Sequence, residues 1–413
     1  MNRIVAGIDV HKRVLMVVLI DERACGEAPQ RPERRKFGAT AAELAHLKAW
    51  LREHGVTEAV MESTAQYWKP VWFALEGEFR LQLAQAWSNR APRGKKTDFK
   101  DAARLARRHL AGELTMSFVP DGEQRTIRSL ARRRAQLTRD RVRVHNQVES
   151  LLEEMRVKLS SVVTDLFGAS GLRILRAMIA GETNPENLAA LADARVKRSP
   201  AELADALECT VSAVHRMLLG QHLRQVEFID QQMAELDEHL AHSMKPYSDA
   251  ITRLAQVPGI RALSAQQIIA EAGPTAAAFN SPGRFSSWIG VAPGRNESAE
   301  QNHSSQCPRG NRFLRRVLCQ SAQAAVRTNH SFFQRKFQRL VCKLGFTKAI
   351  WAIARHLSVV IWKILHEGAT YIEFGALSTP QAVKRRLQRV KKELRALGYS
   401  DELKPIQVLG ASA

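Results

Sequence analysis

The stretch that decides the fold is Ile4-Val5-Ala6-Gly7-Ile8-Asp9-Val10, which is followed by a second apolar run over residues 14–20. Both runs are rich in β-branched residues, and only the short polar link His11-Lys12-Arg13 separates them. Apolar runs joined by a few polar residues are typical of a β-hairpin. The sequence therefore predicts that the chain begins with two antiparallel strands and that Asp9 lies near the end of the first.

The residues that follow predict alternating helices and strands. Thr40-Ala41-Ala42-Glu43 has the pattern of a capping box, which opens a helix that Gly55 ends. Strands are predicted near 34–39, at 58–61 and over 80–86, and helices over 65–77 and from Thr97-Asp98 to Gly112. Three strands followed by helix, strand, helix, strand and helix is the order of a ribonuclease-H-like α/β domain. We expect that fold at the N-terminus.

Two long helices with heptad-spaced apolar residues are predicted in the middle of the chain. The first covers 121–160, and Arg134 and Arg141 interrupt one of its two apolar rows; the other row consists of Leu130, Leu137, Val144 and Leu151. The second helix covers 212–242 and repeats in the same way. Such seams fit an antiparallel helical hairpin within one chain, a dimer arm, or ordinary bundle packing. The segment 160–210 between them is predicted to be a short helical insertion.

The sequence pattern changes in the C-terminal part of the chain. Gln256-Val257-Pro258-Gly259-Ile260 separates two helical patterns, over 251–255 and 262–272, and a Pro-Gly turn between short helices resembles a helix-hairpin-helix. In that shape, backbone N–H groups at the turn and at the following helix N-terminus hold a phosphate. The glycine- and proline-containing stretch 281–311 is predicted to be loop, a helix is predicted over 312–327, and 383–392 is predicted to be a basic amphipathic helix.

Composition points to a nucleic-acid partner. The 413 residues include 62 Lys and Arg against 41 Asp and Glu, which gives a formal net charge of +21. Such an excess needs a polyanionic partner, and nucleic acid is the usual one. The length suggests two or three domains. A hydrophobic content of 45% is enough for a folded core.

The same composition favours a cytoplasmic protein. We find no apolar run long enough to span a bilayer and no signal peptide, so no membrane association is expected. The 5 cysteines are widely scattered, which predicts reduced thiols and not a disulfide framework.

Four acidic residues fall where an α/β domain can bring them together. Asp9 and Glu62 end predicted strands, and Asp98 and Asp101 lie one turn apart at the start of a predicted helix. Gathered carboxylates repel one another unless cations lie between them, and Mg²⁺ prefers such oxygen ligands. Taken singly, each acid also fits a turn, a helix cap or an ion pair. Jointly, they predict a divalent-metal site.

Basic residues surround the aspartate pair and are predicted to contact phosphates: Lys95, Lys96, Lys100 and Arg104. A second basic segment follows the glycine-rich loop near residue 300, with Arg309, Arg312 and Arg315 as predicted nucleic-acid contacts. A serine in such a loop can act as a nucleophile on phosphate. Residue chemistry alone does not choose among Ser298, Ser304 and Ser305, and a flexible polar loop is the alternative.

These residues form recognisable motifs at both ends of the chain. The N-terminal motifs resemble the DEDD domain of transposases of the insertion-sequence 110 (IS110) family; they are Gly7-Ile8-Asp9-Val10-His11-Lys12, Met61-Glu62-Ser63-Thr64 and Lys96-Thr97-Asp98-Phe99-Lys100-Asp101-Ala102. The C-terminal motifs resemble the same family's transposase domain; they are Val257-Pro258-Gly259-Ile260, Gly290-Val291-Ala292-Pro293, Asn296-Glu297-Ser298-Ala299 and Gly310-Asn311-Arg312-Phe313-Leu314-Arg315.

The resemblance implies a RuvC-like metal domain, a coiled-coil dimer arm and a catalytic serine, to which Ser298 corresponds by position. It also implies DNA substrates at the element ends and target, a structured guide RNA called a bridge RNA, and a bacterial, nucleoid-associated homo-oligomer (dimer or tetramer). The chain departs from the family pattern at Glu300-Gln301-Asn302, where basic residues are usual. That departure concerns local phosphate contacts.

The resulting interpretation has four segments. Residues 1–118 form the RuvC-like domain, 119–248 the helical coiled-coil region, 249–375 the mainly α-helical transposase domain with the serine, and 376–413 a basic helical tail. We expect a Mg²⁺-dependent recombinase in which Ser298 attacks DNA and Asp9, Glu62, Asp98 and Asp101 bind the metal. The alternatives are a metal-only nuclease of the Holliday-junction-resolvase type and a non-catalytic nucleic-acid-binding protein.

Overall fold

The computed structural model describes residues 3–22, 32–62, 65–89, 97–294, 296–298, 301–304, 306–373 and 380–398, with the backbone alone over 296–298, 301–304 and 380–386. The chain divides into two compact units, Met1–Pro120 and Asp121–Ala413. The first is mixed α/β and the second is mostly helical. The finer division of the second unit into arm, transposase domain and tail stays a prediction.

The first unit is built on a five-stranded sheet with the order β3-β2-β1-β4-β5. Its strands are β1 (Ile4–Val10), β2 (Val14–Asp21), β3 (Arg34–Gly38), β4 (Glu58–Glu62) and β5 (Arg80–Ala84). The first three strands pair antiparallel, whereas β4 is parallel to β1 and β5 is parallel to β4. The predicted N-terminal hairpin and the predicted order of strands are confirmed.

Three helices complete the first unit: α1 (Ala41–Glu53), α2 (Trp68–Leu75) and α3 (Asp98–Leu110). The two-residue period of a strand sends alternate side chains to opposite faces of the sheet. Ile8 and Met61 lie in the core cluster that contains the α1 and α2 residues, whereas Val5 and Val60 lie in the cluster that contains α3. The sheet therefore has α1 and α2 on one face and α3 on the other.

Gly7 allows α3 to approach the sheet closely. A Cβ atom at Gly7 would lie 2.1 Å from the carbonyl oxygen of Ala102 and 3.0 Å from Cβ of Ala106. No side chain fits there, so the backbone of α3 rests directly on the centre of β1. This contact determines how far the first turn of α3 lies from the end of β1.

The start of α1 differs from the predicted capping box in one of its two bonds. Thr40 Oγ1 accepts from the backbone N–H of Glu43, as predicted. The Glu43 carboxylate, however, accepts from the backbone N–H of Gly38 at 2.9 Å. Gly38 is the last residue of β3, so the glutamate ties the strand end to the helix start. Gly55, with a φ of +64°, follows the end of the helix, as predicted.

In the second unit, α4 (Gly122–Glu154) and α9 (Ala213–Met244) pack against each other along their length. Arg134 pairs with Asp237, and Arg141 pairs with Asp230 at 2.6 Å. Seven residues forward on α4 correspond to seven residues backward on α9, so the helices are antiparallel. The two arginines that interrupt the apolar seam are thus matched by aspartates within the same chain.

The insertion between these helices consists of α5 (Leu159–Val162), α6 (Ala169–Ala180), α7 (Pro185–Ala190) and α8 (Pro200–Ala206), which confirms its predicted helical character. The remaining elements are α10 (Ser248–Ala255), α11 (Ala262–Ala272), α12 (Pro282–Ile289), β6 (Asn296–Ser298), β7 (Gln301–Ser304), α13 (Arg312–Arg327), α14 (Phe332–His366) and α15 (Pro380–Ala396). Among described residues, Cys209, Cys307, Cys319 and Cys342 are free thiols, as predicted; Cys25 lies outside them.

The prediction of a continuous loop over 281–311 is wrong. Residues 282–289 form α12, which Ser281 caps and which Gly290 ends with a φ of +84°. The buried Phe285 and Ile289 are four residues apart, so they share the face that packs into the core. A serine cap, an early proline and a terminal glycine are helix signals that the high glycine content of the segment obscured.

The Pro-Gly turn does join two helices, α10 and α11, but its surroundings differ from a free phosphate-binding turn. Gly259 has a φ of +82°, and a Cβ atom there would lie 2.2 Å from the carbonyl oxygen of Ser321 in α13. Within the turn, Val257 and Ile260 donate their N–H groups to Leu254 and Val257. The glycine is therefore explained by close packing against α13.

One helix departs from the expectation that no apolar run could span a bilayer. An 18-residue window of α14 has a mean hydropathy of 1.3, and by length and composition it could cross a membrane. The helix is kinked at Gly345, and it packs against α10, α12 and α13. Ser358 in its buried face contacts Ser286 of α12, with 2.7 Å between the hydroxyl oxygens. One face of α14 therefore packs in the core of the second unit.

Candidate active site

Register brings Asp9 and Glu62 to the same edge of the sheet. Ile8 of β1 is paired with Met61 of the parallel strand β4, and each acid is the next residue of its strand. Because side chains alternate along a strand, both acids share the face of Val60, on which α3 packs. Two carboxylates distant in sequence thus lie at neighbouring strand ends, facing the same helix.

The helix α3 contributes the next two acids. Asp98 and Asp101 lie in its first turn, one helical turn apart, so both occupy the same side of the helix. His11 lies between the strand and the helix: its Nε2 is 3.2 Å from Asp9 Oδ2 and 3.9 Å from Asp98 Oδ1. Asp9, His11 and Asp98 each place one potential ligand atom within 4.8 Å of the others.

The other two acids are held by polar neighbours. Asp101 forms an ion pair with Arg104, with 2.8 Å between Oδ1 and Nη1. Glu62 accepts a hydrogen bond of 2.9 Å from the side-chain amide of Asn89. Arg104 Nε also donates to Asn89 Oδ1 at 3.5 Å, so one network connects Glu62 to Asp101. Arg104 was predicted to contact phosphate; in this structure its guanidinium lies against the acids.

The negative charge around Asp9 is only partly balanced by its neighbours. Burial raises the pKa of Asp9 above its ordinary value, His11 opposes that rise, and the charges of Asp98 and Asp101 add to it. A carboxylate whose pKa is raised by burial and by other carboxylates gains from a nearby cation. The two carboxylates and one imidazole of Asp9, Asp98 and His11 therefore fit a divalent metal ion; Glu62 and Asp101 are not in this group of three.

In the C-terminal motif region, Gly290 and Gly310 bring together the two ends of the segment that contains Ser298. A Cβ atom at Gly310 would lie 2.4 Å from the backbone nitrogen of Gly290, so the two backbones touch. The N–H of Asn311 donates to the carbonyl of Trp288 at 3.0 Å. The segment between these contacts contains the hairpin of β6 and β7, and Ser298 ends β6 opposite Gln301.

Comparison with known proteins decides the family. A model of DEDD-type IS110 transposases, described as "Transposase", matches residues 6–157, and the "Transposase IS116/IS110/IS902 family" model matches residues 251–338. Together they cover more than half of the chain. The chain belongs to the IS110 family of transposases. Members of these families cleave and rejoin DNA, so this transposase is a DNA-processing enzyme with a DNA substrate.

Similar proteins of comparable length come from several bacteria. A "Probable family 20 transposase" of Pseudomonas aeruginosa is 24% identical over 383 residues, which cover 90% of this chain and 99% of that protein. The "Transposase for insertion sequence element IS1111A" of Coxiella burnetii is 24% identical over 89% of this chain and 91% of its own length. The "Insertion element IS900 uncharacterized 42 kDa protein" of Mycobacterium paratuberculosis is 26% identical over 67% of this chain and 73% of its own.

Two residues of the candidate site were not predicted as site residues. His11 follows Asp9 by two positions, which is the spacing of side chains on one face of a strand, so its sequence position carried a signal. Asn89 lies in a short 3₁₀ turn, Ala86–Asn89, after β5. No sequence pattern marks it, because its contact with Glu62 arises from the packing of separate segments.

The other residues that were predicted to contact nucleic acid lie in separate parts of the chain. Lys95 and Lys96 lie outside the described residues, as does Ser305, and nothing is described of the Ser298 side chain. Lys100 is exposed on α3, and Arg309 and Arg312 are exposed at the start of α13 or just before it. Arg315 is half-buried, with its guanidinium carbon 4.5 Å from the centre of the Trp351 ring. A residue in that position stabilises the packing of α13 on α14.

Proposed function

We propose that the first unit is a ribonuclease-H-like (RuvC-like) metal domain in which Asp9, Glu62, Asp98 and Asp101 hold Mg²⁺. The observation that carries this proposal is the register of β1 and β4, which places two acids at adjacent strand ends facing the helix that carries the other two. The strand order β3-β2-β1-β4-β5 and the helices on both faces support the fold. His11 is an additional candidate ligand.

When bound, such a metal stabilises the attacking and leaving oxygens of a phosphodiester. The protein's own residues keep the acids in place. Asn89 donates to Glu62, and Arg104 pairs with Asp101 and contacts Asn89, so these two carboxylates are oriented by a hydrogen-bonded network. Gly7 keeps α3 in contact with β1.

Metal binding is tested separately from DNA cleavage. The Asp9→Asn and Glu62→Gln variants should lose binding of Mn²⁺, measured by isothermal titration in the absence of DNA, while they keep the circular dichroism of the parent. Glu53→Gln is the matched control, because Glu53 is exposed on α1 away from the acids. Equal Mn²⁺ binding by all variants would contradict the assignment of the acids as ligands.

In the second unit we propose Ser298 as the nucleophile. Its oxygen forms an ester bond to a DNA phosphorus, and the phosphorus–oxygen bond to one deoxyribose breaks and leaves a sugar hydroxyl. A hydroxyl of a second strand then attacks the same phosphorus and releases the serine, which rejoins DNA without an external energy source. The position of Ser298 in the family motif and the contact between the two ends of its segment support this assignment.

The test of Ser298 is the covalent adduct. Labelled DNA from the coding region's flanks, incubated with the protein and denatured, should migrate with the parent chain and with Ser304→Ala, but not with Ser298→Ala. Strand transfer should be lost in the same variant. An active Ser298→Ala variant would refute the serine mechanism, and cleavage without any adduct would favour the metal-only nuclease.

We further propose that a bridge RNA guides this transposase and that it works as a homo-oligomer. The net charge of +21 supports binding to a large polyanion. Val142 on α4 and Phe228 on α9 are 56% and 59% exposed, which leaves apolar surface on the helical pair for a second subunit. Expression with the native flanking DNA should co-purify a discrete non-coding RNA, and sedimentation should give a dimer or tetramer. A monomer free of RNA that transposes normally would refute both.

A further inference from the structure

A cavity of about 610 Å³ lies in the second unit between α4, α11 and α13. On α13 the lining residues recur at helical spacing, as Arg312, Arg316 and Gln320 do. The residues used below are Arg312, Arg316 and Gln320 on α13, Gln267 and Glu271 on α11, and Arg139 on α4. The cavity is therefore built from three helices of one compact unit and does not involve the carboxylate cluster.

The single acid of the cavity is already neutralised. Glu271 is buried, and its two carboxylate oxygens accept from Nε and Nη2 of Arg132 at 2.7 and 2.9 Å. Asn311 also donates to it at 2.7 Å, and the backbone N–H groups of Phe313 and Leu314 donate to that same asparagine. The carboxylate thus anchors α4 and the start of α13, and it has little charge left for a ligand.

Of the other arginines that line the cavity, Arg134 is paired with Asp237, whereas Arg139, Arg312 and Arg316 are available. Arg312 and Arg316 are exposed, and neither forms an ion pair within the described part of the chain. Arg139 donates only to Gln136 among the described residues. Unpaired arginines gathered at one opening have the chemistry of a phosphate site, because the guanidinium fork matches phosphate oxygens.

A phosphate ligand alone does not explain the aromatic and amide side chains that also line the cavity. The Phe313 ring lies at the cavity, with the guanidinium carbons of Arg132 and Arg312 at 4.3 and 5.0 Å from its centre. The side-chain amides of Gln267 and Gln320 line it as well. An aromatic ring stacked with guanidinium groups suits a flat base, and amides match base edges. The volume is in the range of sites for small organic ligands.

We propose that this cavity binds one unstacked nucleotide of a nucleic-acid strand, with its phosphate at Arg312 and Arg316 and its base beside Phe313. The strand can be DNA or RNA, because the phosphate and the base are common to both. The inference goes beyond strand cleavage, and it requires neither Ser298 nor the four carboxylates. A strand held here has one base out of its stack, and the energy needed to unstack a base is smallest in a strand that is already single.

The test uses the full chain carrying Ser298→Ala, in EDTA, so that no chemistry occurs. Fluorescence anisotropy compares three hexamers of equal length and phosphate number: thymidine DNA, uridine RNA and a fully abasic strand. One stacked base corresponds to at least about a fivefold gain in affinity. We expect the parent protein to prefer a base-containing hexamer over the abasic one by about tenfold. Preference for the DNA or the RNA hexamer identifies the source of the strand.

Two variants connect that preference to the cavity. Ala135→Trp fills the space beside α4 without changing charge, and it should reduce the preference to about one. Arg316→Gln should weaken binding of all three hexamers. It should also reduce the slope of log affinity against log salt concentration by about one. Arg327→Gln is the matched control, since Arg327 is exposed on the same helix α13 and does not line the cavity; it should keep the parent affinity for all three hexamers.

A second measurement protects the test from a folding defect in Ala135→Trp. A hexamer with one 5-iodouridine, irradiated with the parent protein, should crosslink to the peptide that contains Phe313. Equal affinity for the abasic and base-containing hexamers, or a crosslink confined to other peptides, would overturn the proposal. A base preference that survives in Ala135→Trp, or an Arg316→Gln variant that binds all three hexamers as tightly as the parent, would overturn it as well.

Discussion

Replacing Gly7 with alanine separates the geometry of the metal site from its chemistry. The substitution adds one methyl group and removes no ligand. That methyl group would lie 2.1 Å from the Ala102 carbonyl oxygen, whereas real Cβ contacts are essentially never shorter than 3.0 Å. The backbone of α3 must therefore move away from β1 by about 1 Å, and it carries Asp98 and Asp101 with it.

The magnitude follows from that displacement. Overpacking of a well-packed core costs about 1–3 kcal/mol, and the lower backbone entropy of alanine in the unfolded chain offsets less than about 1 kcal/mol of this. A misplacement of about 1 Å at a catalytic site costs about 100-fold in rate. We expect a modest loss of stability, with a melting temperature lower by several degrees, and a much larger loss of strand transfer.

The assay measures transposition of a marked element with its native flanking DNA, together with thermal unfolding of the purified protein. Gly77→Ala is the matched control. Gly77 has a φ of +88°, and no atom of the described residues lies within 4 Å of the place that a methyl group would take, so alanine there strains the backbone by about 1 kcal/mol without moving α3. It should destabilise the protein comparably and leave transposition within about twofold. Full activity in Gly7→Ala would refute the role assigned to this contact.

Three further outcomes are expected. Glu271→Gln should destabilise the second unit by about 3 kcal/mol in chemical denaturation, because Glu271 is buried and the largely buried Arg128 beside it loses its counter-charge; a loss below about 1 kcal/mol would contradict that. Reversing either charge of the Arg134–Asp237 pair should cost about 1 kcal/mol, and the double reversal should recover most of it if the helices hold the antiparallel register in solution. Burial, and then the charge of Lys336, lower the pKa of His356 to about 4 from 6.5. As the pH falls, the unfolded chain takes up a proton on His356 before the folded protein does. The contribution of His356 to the free energy of unfolding is therefore complete above pH 6.5 and decreases as the pH falls towards 4. His356→Gln should flatten this part of the curve of stability against pH, and an unchanged slope would exclude the histidine as its source.

Local patterns predicted much of the first unit. Apolar runs, polar links and glycine stops depend on residues close in sequence, and β1, β2, α1 and α3 were predicted near their observed positions. Where a local signal competed with another, prediction failed: glycine content outweighed the cap and proline of α12. The Glu43 carboxylate likewise accepts from Gly38 at the end of β3, a contact that the helix pattern does not encode.

The candidate site shows the same division. The residue types and positions of Asp9, Glu62, Asp98 and Asp101 were readable, and so was the excess of basic residues. Asn89 and the network through Arg104 were not, because those contacts join segments that only the folded sheet brings together. Neither was the cavity beside Phe313, whose lining comes from three helices that are far apart in the sequence.

By itself, the sequence determined the periods of the strands and helices, the positive charge, and the family to which the chain belongs, because each depends on residue identity and local order. The tertiary structure decided that Gly7 brings α3 onto β1, that the arginines of the α4 seam meet aspartates of α9, and that Glu271 holds α4 to the start of α13. The physical reason is that each of these is a contact between distant segments. Its free energy depends on distances of a few ångströms, which packing sets and local sequence does not encode.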